Sequence, residues 1–138
     1  MSTSTRPGEE LSESDKVAIA ALTRRVIAAW AYHDADAFAD LFTEDGTMIL
    51  SGVYRNGRED IRSYLKSAFQ NEYKGTQVTG QPLGLRPLAR DAAVLLSRGG
   101  VLQPGESEVS DANAIRASWV VVNRDGQWFL AAYQNSPI

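Results

Sequence analysis

Residues 114–136 have the sequence AIRASWVVVNRDGQWFLAAYQNS, in which two apolar segments flank a short polar stretch. Both segments are rich in β-branched and aromatic residues, which favour strands over helices. Between them, Asn123-Arg124-Asp125-Gly126 is typical of a tight hairpin turn, because Asn, Asp and Gly tolerate positive φ angles. The stretch therefore predicts two long antiparallel strands over residues 114–122 and 127–136.

The segments that precede this hairpin extend the β-structure. Residues 76–88 and 92–102 are long stretches with strand character. Residues 103–113 are rich in Pro, Gly, Ser and acidic residues and predict a loop. The second half of the chain is therefore predicted to be a set of strands.

The first half has helical periodicity instead. Ser14 is a suitable N-cap with Asp15 in the first turn, and the apolar residues that follow recur at helical spacing. Asp34 caps a second, short helix, and Glu59 and Asp60 suit the N-terminal end of a third. The predicted buried stripes of the three helices are Ile19, Leu22, Val26, Ala29, Trp30 and His33; Phe38, Leu41 and Phe42; and Ile61, Tyr64, Leu65, Ala68 and Phe69.

A small hairpin is predicted between the second and third helices. Glu44-Asp45-Gly46 predicts a turn, and residues 47–50 and 53–55 form the two strands around Ser51-Gly52. The order is helix, helix, hairpin, helix and then strands. It is typical of an α+β domain with its helices on one face of an antiparallel sheet.

Length and composition restrict the function. The 138 residues fit one domain, predicted over residues 14–138 after a mobile tail at residues 1–13. A net charge of -3 gives no attraction for phosphate backbones, so no nucleic acid is expected as a partner. No stretch approaches the roughly 20 apolar residues of a membrane span, and the N-terminus lacks the apolar core of a signal peptide. We therefore expect a cytoplasmic protein without a membrane partner.

Two absences restrict the chemistry. The chain has 0 cysteines, which excludes disulfides, thiol nucleophiles and thiolate metal sites. Its 1 histidine, His33, cannot form a His-rich zinc site, and a place at the end of the first helix suits interaction with the helix dipole. Gly99-Gly100 lacks the lysine and helix start of a phosphate-binding loop. No metal, nucleotide or flavin cofactor is expected.

Several short motifs follow one another along the chain: Ala28-Ala29-Trp30, residues 33–38, residues 41–46, residues 56–61, and Asp125-Gly126-Gln127-Trp128 with Ala131-Ala132. In this order they resemble the nuclear-transport-factor-2-like superfamily, and within it the SnoaL-like and SgcJ/EcaC branch. The resemblance implies a cone-shaped curved antiparallel β-sheet wrapped around three N-terminal helices, with a small apolar molecule enclosed. It also implies a connection with enediyne or other polyketide pathways.

The superfamily includes ketosteroid isomerases, and their catalytic groups are missing here. The oxyanion-donor tyrosine of the isomerases aligns with Val26, the general-base aspartate aligns near Leu50, and the protonated aspartic acid aligns near Ser118. The resemblance therefore does not imply isomerisation by that machinery, and no catalytic residue is predicted.

Side chains alternate between the two faces of the last hairpin, and the face that is directed into the cone, called here its phase, decides which of them line the cavity. If Asn123 pairs with Gly126, Arg116 lies opposite Tyr133. The resemblance to the isomerases places that face toward the cavity. The opposite phase, with the more apolar face as the core, remains open. The face predicted to line the cavity carries Arg116, Ser118, Val120, Phe129, Ala131, Tyr133 and Asn135.

The other face of the hairpin is apolar and would then lie outside. Trp119, Trp128 and Leu130 form its centre. Because an exposed apolar patch of this kind usually contacts a partner, it predicts a homodimer through these residues.

The candidate ligand-binding residues are aromatic and polar side chains that suit hydrogen bonding to a carbonyl or carboxylate group. For Arg116 two interpretations are open: pairing with an anionic ligand inside the cone, or reaching solvent at the end of its strand. The candidates are Trp30, Tyr54, Tyr64, Arg98, Arg116, Ser118, Phe129, Tyr133 and Asn135.

Three functions follow from these residues. The first is cofactor-independent binding or processing of a polyketide-like molecule in natural-product biosynthesis. The second is a SnoaL-like cyclase, isomerase or dehydratase, and the third is a non-catalytic accessory domain that binds a protein. A cavity with a buried ionisable group would favour the enzyme, a cavity with only apolar and neutral polar groups would favour binding, and a filled cone would favour the accessory role.

Overall fold

A computed structural model describes residues 11–138 of the protein. The predicted α+β class and the predicted order of the elements are confirmed. The elements are α1 (Glu13–Ala31), α2 (Ala35–Ala39), β1 (Phe42–Leu50), β2 (Val53–Asn56), α3 (Arg58–Ala68), β3 (Gln77–Ala89), β4 (Ala92–Leu102), a short 3-10 helix η1 (Asp111–Asn113), β5 (Ala114–Arg124) and β6 (Gln127–Pro137).

Helix α1 begins earlier than predicted. Ser12, rather than Ser14, is the N-cap: its Oγ accepts a hydrogen bond from the backbone N–H of Asp15 at 3.0 Å. The Asp15 carboxylate accepts one from the backbone N–H of Ser12 at 3.3 Å, and this capping box satisfies donors that a helix start leaves free. Leu11 is already buried. The rest of the predicted tail, residues 1–10, lies outside the described residues.

His33 and Asp34 shape the link from α1 to α2. His33 has a φ of 51°, in the left-handed region that usually favours glycine. This conformation lets the backbone N–H groups of His33 and Asp34 donate to the carbonyls of Trp30 at 2.8 Å and Ala29 at 2.9 Å. Asp34 then caps α2 as predicted, because its Oδ1 accepts from the Ala37 N–H at 2.9 Å.

The turn predicted at residues 44–46 is wrong, since β1 continues through it. The acidic pair there is exposed, while Gly46 packs against Phe42. A Cβ atom on Gly46 would lie 3.0 Å from the Phe42 ring, so glycine serves close packing at this position. The pairing of β1 with β6 is irregular between Phe42 and Thr47, which accommodates the segment.

The six strands form one curved, open sheet in the order β2-β1-β6-β5-β4-β3. Neighbouring strands are antiparallel except β1 and β6, which run parallel with Met48 opposite Tyr133. The sheet is therefore mixed rather than wholly antiparallel as predicted. The long helix α1 contacts both β3 and β6, and it lies across the concave face.

The register of the hairpin between β5 and β6 differs from the predicted one. Arg124 pairs with Gln127, so Asp125 and Gly126 alone form the turn, with φ angles of 56° and 86°. Two successive positive φ angles are what a two-residue hairpin turn requires. The predicted pairing of Gly126 with Asn123 is therefore wrong.

A bulge at Ala131 then changes which side chains of β6 face inward. Val121 pairs with Leu130 and Val120 pairs with Ala132, so Ala131 has no partner in the ladder. One extra residue reverses the alternation of side chains along a strand. The inward residues of β6 are consequently Trp128 and Leu130 before the bulge, and Tyr133 and Asn135 after it.

The homodimer interface predicted through the apolar face of this hairpin is wrong. Trp119, Trp128 and Leu130 have only 6%, 3% and 0% of their surface exposed, because they form the core of the cone. Trp128 also donates its Nε1–H to Asp15 Oδ1 at 3.3 Å, which connects β6 to the start of α1. These side chains are not available to a second copy of the chain.

Candidate functional site

A cavity of about 390 Å³ lies inside the cone, between α1, the concave face of the sheet and the segment that joins β4 to β5. Its size falls within the range of small-molecule sites, roughly 300–1,000 Å³. Its lining comprises Val26, Ile27 and Trp30; Phe38; Met48, Leu50 and Ser51; Tyr73; residues 78–80; residues 100, 101 and 103; residues 112–115; Trp119; and Tyr133, Asn135 and Pro137.

Trp30 forms one wall of the cavity. Its ring meets Phe69 edge-on, with centroids 5.0 Å apart and planes at 90°, and it also contacts Phe38 at 5.9 Å and Tyr73 at 4.9 Å. Such aromatic pairs stabilise packing beyond the area that they bury. The indole Nε1–H donates to Thr76 Oγ1 at 3.0 Å. Trp30 therefore presents apolar surface to the cavity while its polar atom is satisfied elsewhere.

Thr76 is completely buried and connects three parts of the chain. Its hydroxyl donates to the backbone carbonyl of Tyr73 at 2.7 Å, and its own carbonyl accepts from His33 Nε2 at 2.8 Å. The His33 ring packs on Phe69 with centroids 5.2 Å apart. His33 thus has a structural role at the end of α1, and it does not line the cavity.

Trp119 and Tyr133 form the opposite wall. They are cross-strand neighbours on β5 and β6, and their rings meet edge-on at 5.1 Å and 89°. The Trp119 Nε1–H donates to the buried hydroxyl of Ser97 at 2.8 Å. The residue predicted opposite Tyr133 was Arg116, which pairs with Ser136 instead because of the turn and the bulge.

The polar part of this wall is the pair of Tyr133 and Asn135. Asn135 Nδ2 donates to the Tyr133 hydroxyl oxygen at 3.1 Å. Burial raises the pKa of Tyr133, the hydrogen bond from Asn135 partly offsets that effect, and the nearby Tyr73 raises the pKa further. Tyr133 is therefore a neutral phenol at physiological pH, and its O–H can donate to a ligand.

Within the described chain, the cavity lining includes no Asp, Glu, Lys, Arg or His side chain. Val26, which the resemblance aligns with the isomerases' tyrosine, and Leu50, near which it aligns their aspartate, line the cavity and are apolar. Proton abstraction from carbon needs a base within hydrogen-bond reach of the substrate. The cavity can therefore enclose a molecule and donate hydrogen bonds to it, but it lacks a carboxylate or imidazole base.

Among residues 11–138, no group of three or more His, Asp or Glu side chains is placed to hold a metal ion. No helix in this part of the chain is long and apolar enough to cross a membrane.

The structure brings together three of the predicted site residues. Trp30, Tyr133 and Asn135 line the cavity from two facing walls. The inward position of Trp30 could be predicted because it belongs to the stripe of apolar residues that recurs at helical spacing along α1. The face of the hairpin predicted to line the cavity is the outer one, and Tyr133 and Asn135 nevertheless face inward because the bulge at Ala131 reverses the alternation of β6.

Four other predicted site residues lie on the outer face of the sheet. Arg98 and Arg116 pair with each other across β4 and β5, and both side chains are exposed. Ser118 and Phe129 alternate with the inward-facing residues of β5 and β6 and so point away from the cavity. The register error of two residues leaves every side chain on its own face, because the alternation has a period of two. The predicted β5 residues lie outside because the alternative phase is the correct one: the more apolar face, with Trp119, Trp128 and Leu130, is the core. The interpretation of Arg116 as a solvent-facing residue is the correct one.

The remaining predicted site residues, Tyr54 and Tyr64, also lie outside the cavity lining. Tyr54 is 60% exposed on β2. Tyr64 packs below Arg55, whose guanidinium carbon is 4.7 Å from the ring centroid. Burial, together with the nearby Tyr73, raises the pKa of Tyr64 to about 12.

Sequence reasoning missed Tyr73 and the contribution of the loop before β5. Tyr73 lies in the turns between α3 and β3, where no periodic pattern marks a buried residue. Ala112 and Asn113 belong to η1, inside a segment predicted only as a loop. One feature of the sequence could have indicated Tyr73: it is an aromatic residue in an otherwise polar turn, and large aromatic side chains are usually at least partly buried against the protein.

A protein-family model described as a SnoaL-like domain matches residues 12–134 of the chain. A domain of unknown function with a cystatin-like fold from Nostoc punctiforme is 28% identical, covers 92% of this chain and 79% of its own, and superposes with a TM-score of 0.84. A second protein of unknown function with that fold from the same organism is 20% identical, with 91% and 92% covered and a TM-score of 0.80. A nuclear-transport-factor-2-like protein of unknown function from Shewanella oneidensis is 19% identical, with 88% and 98% covered and a TM-score of 0.73. A search of the curated proteins found no match.

Proposed function

This chain belongs to the SnoaL-like domain family, and on that premise we propose that it binds a small, largely apolar molecule inside its cone. The observation that carries the proposal is the cavity of about 390 Å³ with aromatic and aliphatic walls. Cavities of this size and character are typical of small-molecule sites.

The neutrality of the cavity favours binding over acid–base catalysis. A cyclase, isomerase or dehydratase that moves a proton at carbon needs a base in the site, and the lining within residues 11–138 supplies only phenol, amide and hydroxyl groups. Tyr133 is a poor base because burial favours its protonated form. The proposed role is therefore to hold and orient the molecule without a cofactor.

Within this role, the proposed ligand is a polyketide-like compound of natural-product biosynthesis in the cytoplasm. The motifs shared with the SgcJ/EcaC branch support this choice. Flat unsaturated rings also suit the aromatic walls formed by Trp30, Trp119 and Tyr133. Native mass spectrometry after incubation with extracts of polyketide-producing cells should show a defined added mass. A protein that stays at its own mass in such extracts contradicts the polyketide assignment.

The three tryptophans of the chain offer a direct test of the cavity itself. Trp30 and Trp119 line it, whereas Trp128 is buried in the core outside the lining. Fluorene, a flat apolar hydrocarbon, should shift the indole N–H resonances of Trp30 and Trp119 in nitrogen-labelled protein. The shifts should saturate, and the resonance of Trp128 should stay in place.

A matched variant shows whether the shifts report the cavity. Val26→Phe adds a ring to the wall of α1 that faces the empty space. It should abolish the fluorene-induced shifts while the protein still unfolds in one cooperative transition. Absence of any shift in the wild-type protein, or equal shifts at all three indoles, would contradict the proposed function.

A further inference from the structure

We infer that the cavity selects uncharged ligands that carry an acceptor oxygen, such as a ketone, and that Tyr133, oriented by Asn135, donates a hydrogen bond to that oxygen. The inference rests on the proposed function and adds to it the polarity and the orientation of the ligand. It follows from which polar atoms of the cavity are already occupied.

The two indole donors of the cavity are not available to a ligand. Trp30 Nε1–H donates to Thr76 and Trp119 Nε1–H donates to Ser97, both inside the protein. Their rings therefore offer apolar surface only. Any hydrogen bond to a deeply bound ligand has to come from another group.

Four half-buried polar side chains line the cavity, Tyr73, Asn113, Tyr133 and Asn135, and among them Tyr133 is the one whose hydroxyl is held by a hydrogen bond from a second lining residue. Its oxygen accepts the hydrogen bond from Asn135 Nδ2, which leaves the phenolic hydrogen free to donate. Within residues 11–138 this is the one hydrogen bond found for the Tyr133 hydroxyl. A hydroxyl that accepts one hydrogen bond donates a stronger one, because hydrogen bonds in a chain polarise each other. Asn135 therefore both orients the Tyr133 hydroxyl and strengthens the bond that it can donate to a ligand. By contrast, Ser51, Thr79 and Gln103 are exposed lining residues that water can satisfy.

The same lining disfavours ions. A carboxylate that enters the cavity loses its hydration, and no Lys or Arg of the described chain lines the cavity to compensate. An ammonium group would meet no carboxylate there either. A neutral carbonyl oxygen loses less on desolvation and finds a donor in Tyr133.

Fluorenone and fluorene test the inference, since they share one ring system and differ by a single carbonyl. Titrations are followed through the indole resonances of Trp30 and Trp119. Tyr133→Phe should weaken fluorenone binding roughly 3- to 10-fold, the loss expected for one hydrogen bond, and should leave fluorene binding within about twofold. Tyr32→Phe, the same change at a tyrosine that is 84% exposed, should affect neither probe.

Asn135→Leu provides a second variant that retains the Tyr133 ring, and it should weaken fluorenone in the same selective way. Equal effects of Tyr133→Phe on both probes, or no effect on either, would overturn the inference and leave the proposed function standing. Binding of fluorene carboxylate as tight as that of fluorenone would overturn it as well. If neither fluorene nor fluorenone shifts the two indoles of the wild-type protein, the proposed function fails together with the inference.

Discussion

The indole N–H of Trp30 donates a 3.0 Å hydrogen bond to the hydroxyl of Thr76, which lies 46 residues further along the chain. That hydroxyl in turn donates to the carbonyl of Tyr73. One buried side chain therefore fixes two residues of the cavity wall, one from α1 and one from the turns before β3. The stability of the fold and the shape of the site share this contact.

Thr76→Val should separate these roles, because it removes the hydroxyl at nearly constant volume. Trp30 is then left with a buried donor and no acceptor, which should lower the free energy of unfolding by roughly 1–3 kcal/mol. Denaturant unfolding measures the change. Thr76→Ser retains the hydroxyl and should leave the Trp30 indole resonance close to its wild-type position. A resonance that moves in Thr76→Ser but stays in place in Thr76→Val would show that the methyl group, not the hydrogen bond, holds Trp30.

Adjacent residues of β5 should respond in opposite ways. Arg116 is exposed, so Arg116→Ala should change the free energy of unfolding by no more than about 0.5 kcal/mol and leave fluorenone affinity unchanged. Ala117 is buried in the core, so Ala117→Asp should destabilise the protein strongly because the carboxylate has no partner there. Thermal unfolding and the fluorenone titration check both variants. A weaker affinity in Arg116→Ala would mean that its side chain reaches the ligand.

Deletion of Ala131 should destabilise the protein, and if it turns Tyr133 outward it should weaken fluorenone binding at least as much as Tyr133→Phe does. Without the bulge, the strand alternates regularly, and either Trp128 with Leu130 or Tyr133 with Asn135 must turn to the outer face. Either outcome lowers stability, and the second removes the donor from the cavity. Ala131→Gly preserves the extra residue and should retain fluorenone binding. A deletion variant that binds fluorenone normally would show that β6 can restore the bulge elsewhere.

Two half-buried tyrosines predict the behaviour of the protein in alkali. Burial raises the pKa of Tyr64 to about 12 and also raises that of Tyr133. As the pH rises, the unfolded chain loses these phenol protons at a lower pH than the folded protein does. The contribution of the two tyrosines to the free energy of unfolding should therefore stay constant up to about pH 10 and fall above it. In absorbance titrations, Tyr64→Phe and Tyr133→Phe should each remove one phenol from the late part of the curve. A late part that is unchanged in both variants would contradict this account.

The helices and the succession of elements along the chain followed from local signals in the sequence. Asp34 caps α2 because its side chain bonds a nearby N–H, and Ser51-Gly52 turns the first hairpin because Gly52 adopts a positive φ. Interactions of this kind span a few residues, which is why a sequence pattern contains them.

The faces of the last two strands did not follow from the sequence. The bulge at Ala131 has no local signature, because it depends on how β6 pairs with β5 on one side and with β1 on the other. The same holds for the contact of Trp30 with Thr76, which only the packed fold creates. The site was therefore predictable at Trp30, whereas the faces of Arg116 and Ser118 depended on a choice between two phases of the hairpin, of which the one with the apolar face as the core is correct.

The parallel pairing of β1 with β6 has a consequence for biosynthesis. On the ribosome, β1 and its hairpin partner β2 emerge long before β6, so the middle of the sheet stays without its neighbour until β6 has left the exit tunnel. Such distant pairing slows folding, because a long loop must close before the contacts form. During that interval the apolar side of β1, including Met48, is open to chaperones or to another nascent chain. The pocket can admit a molecule only after translation has passed Asn135.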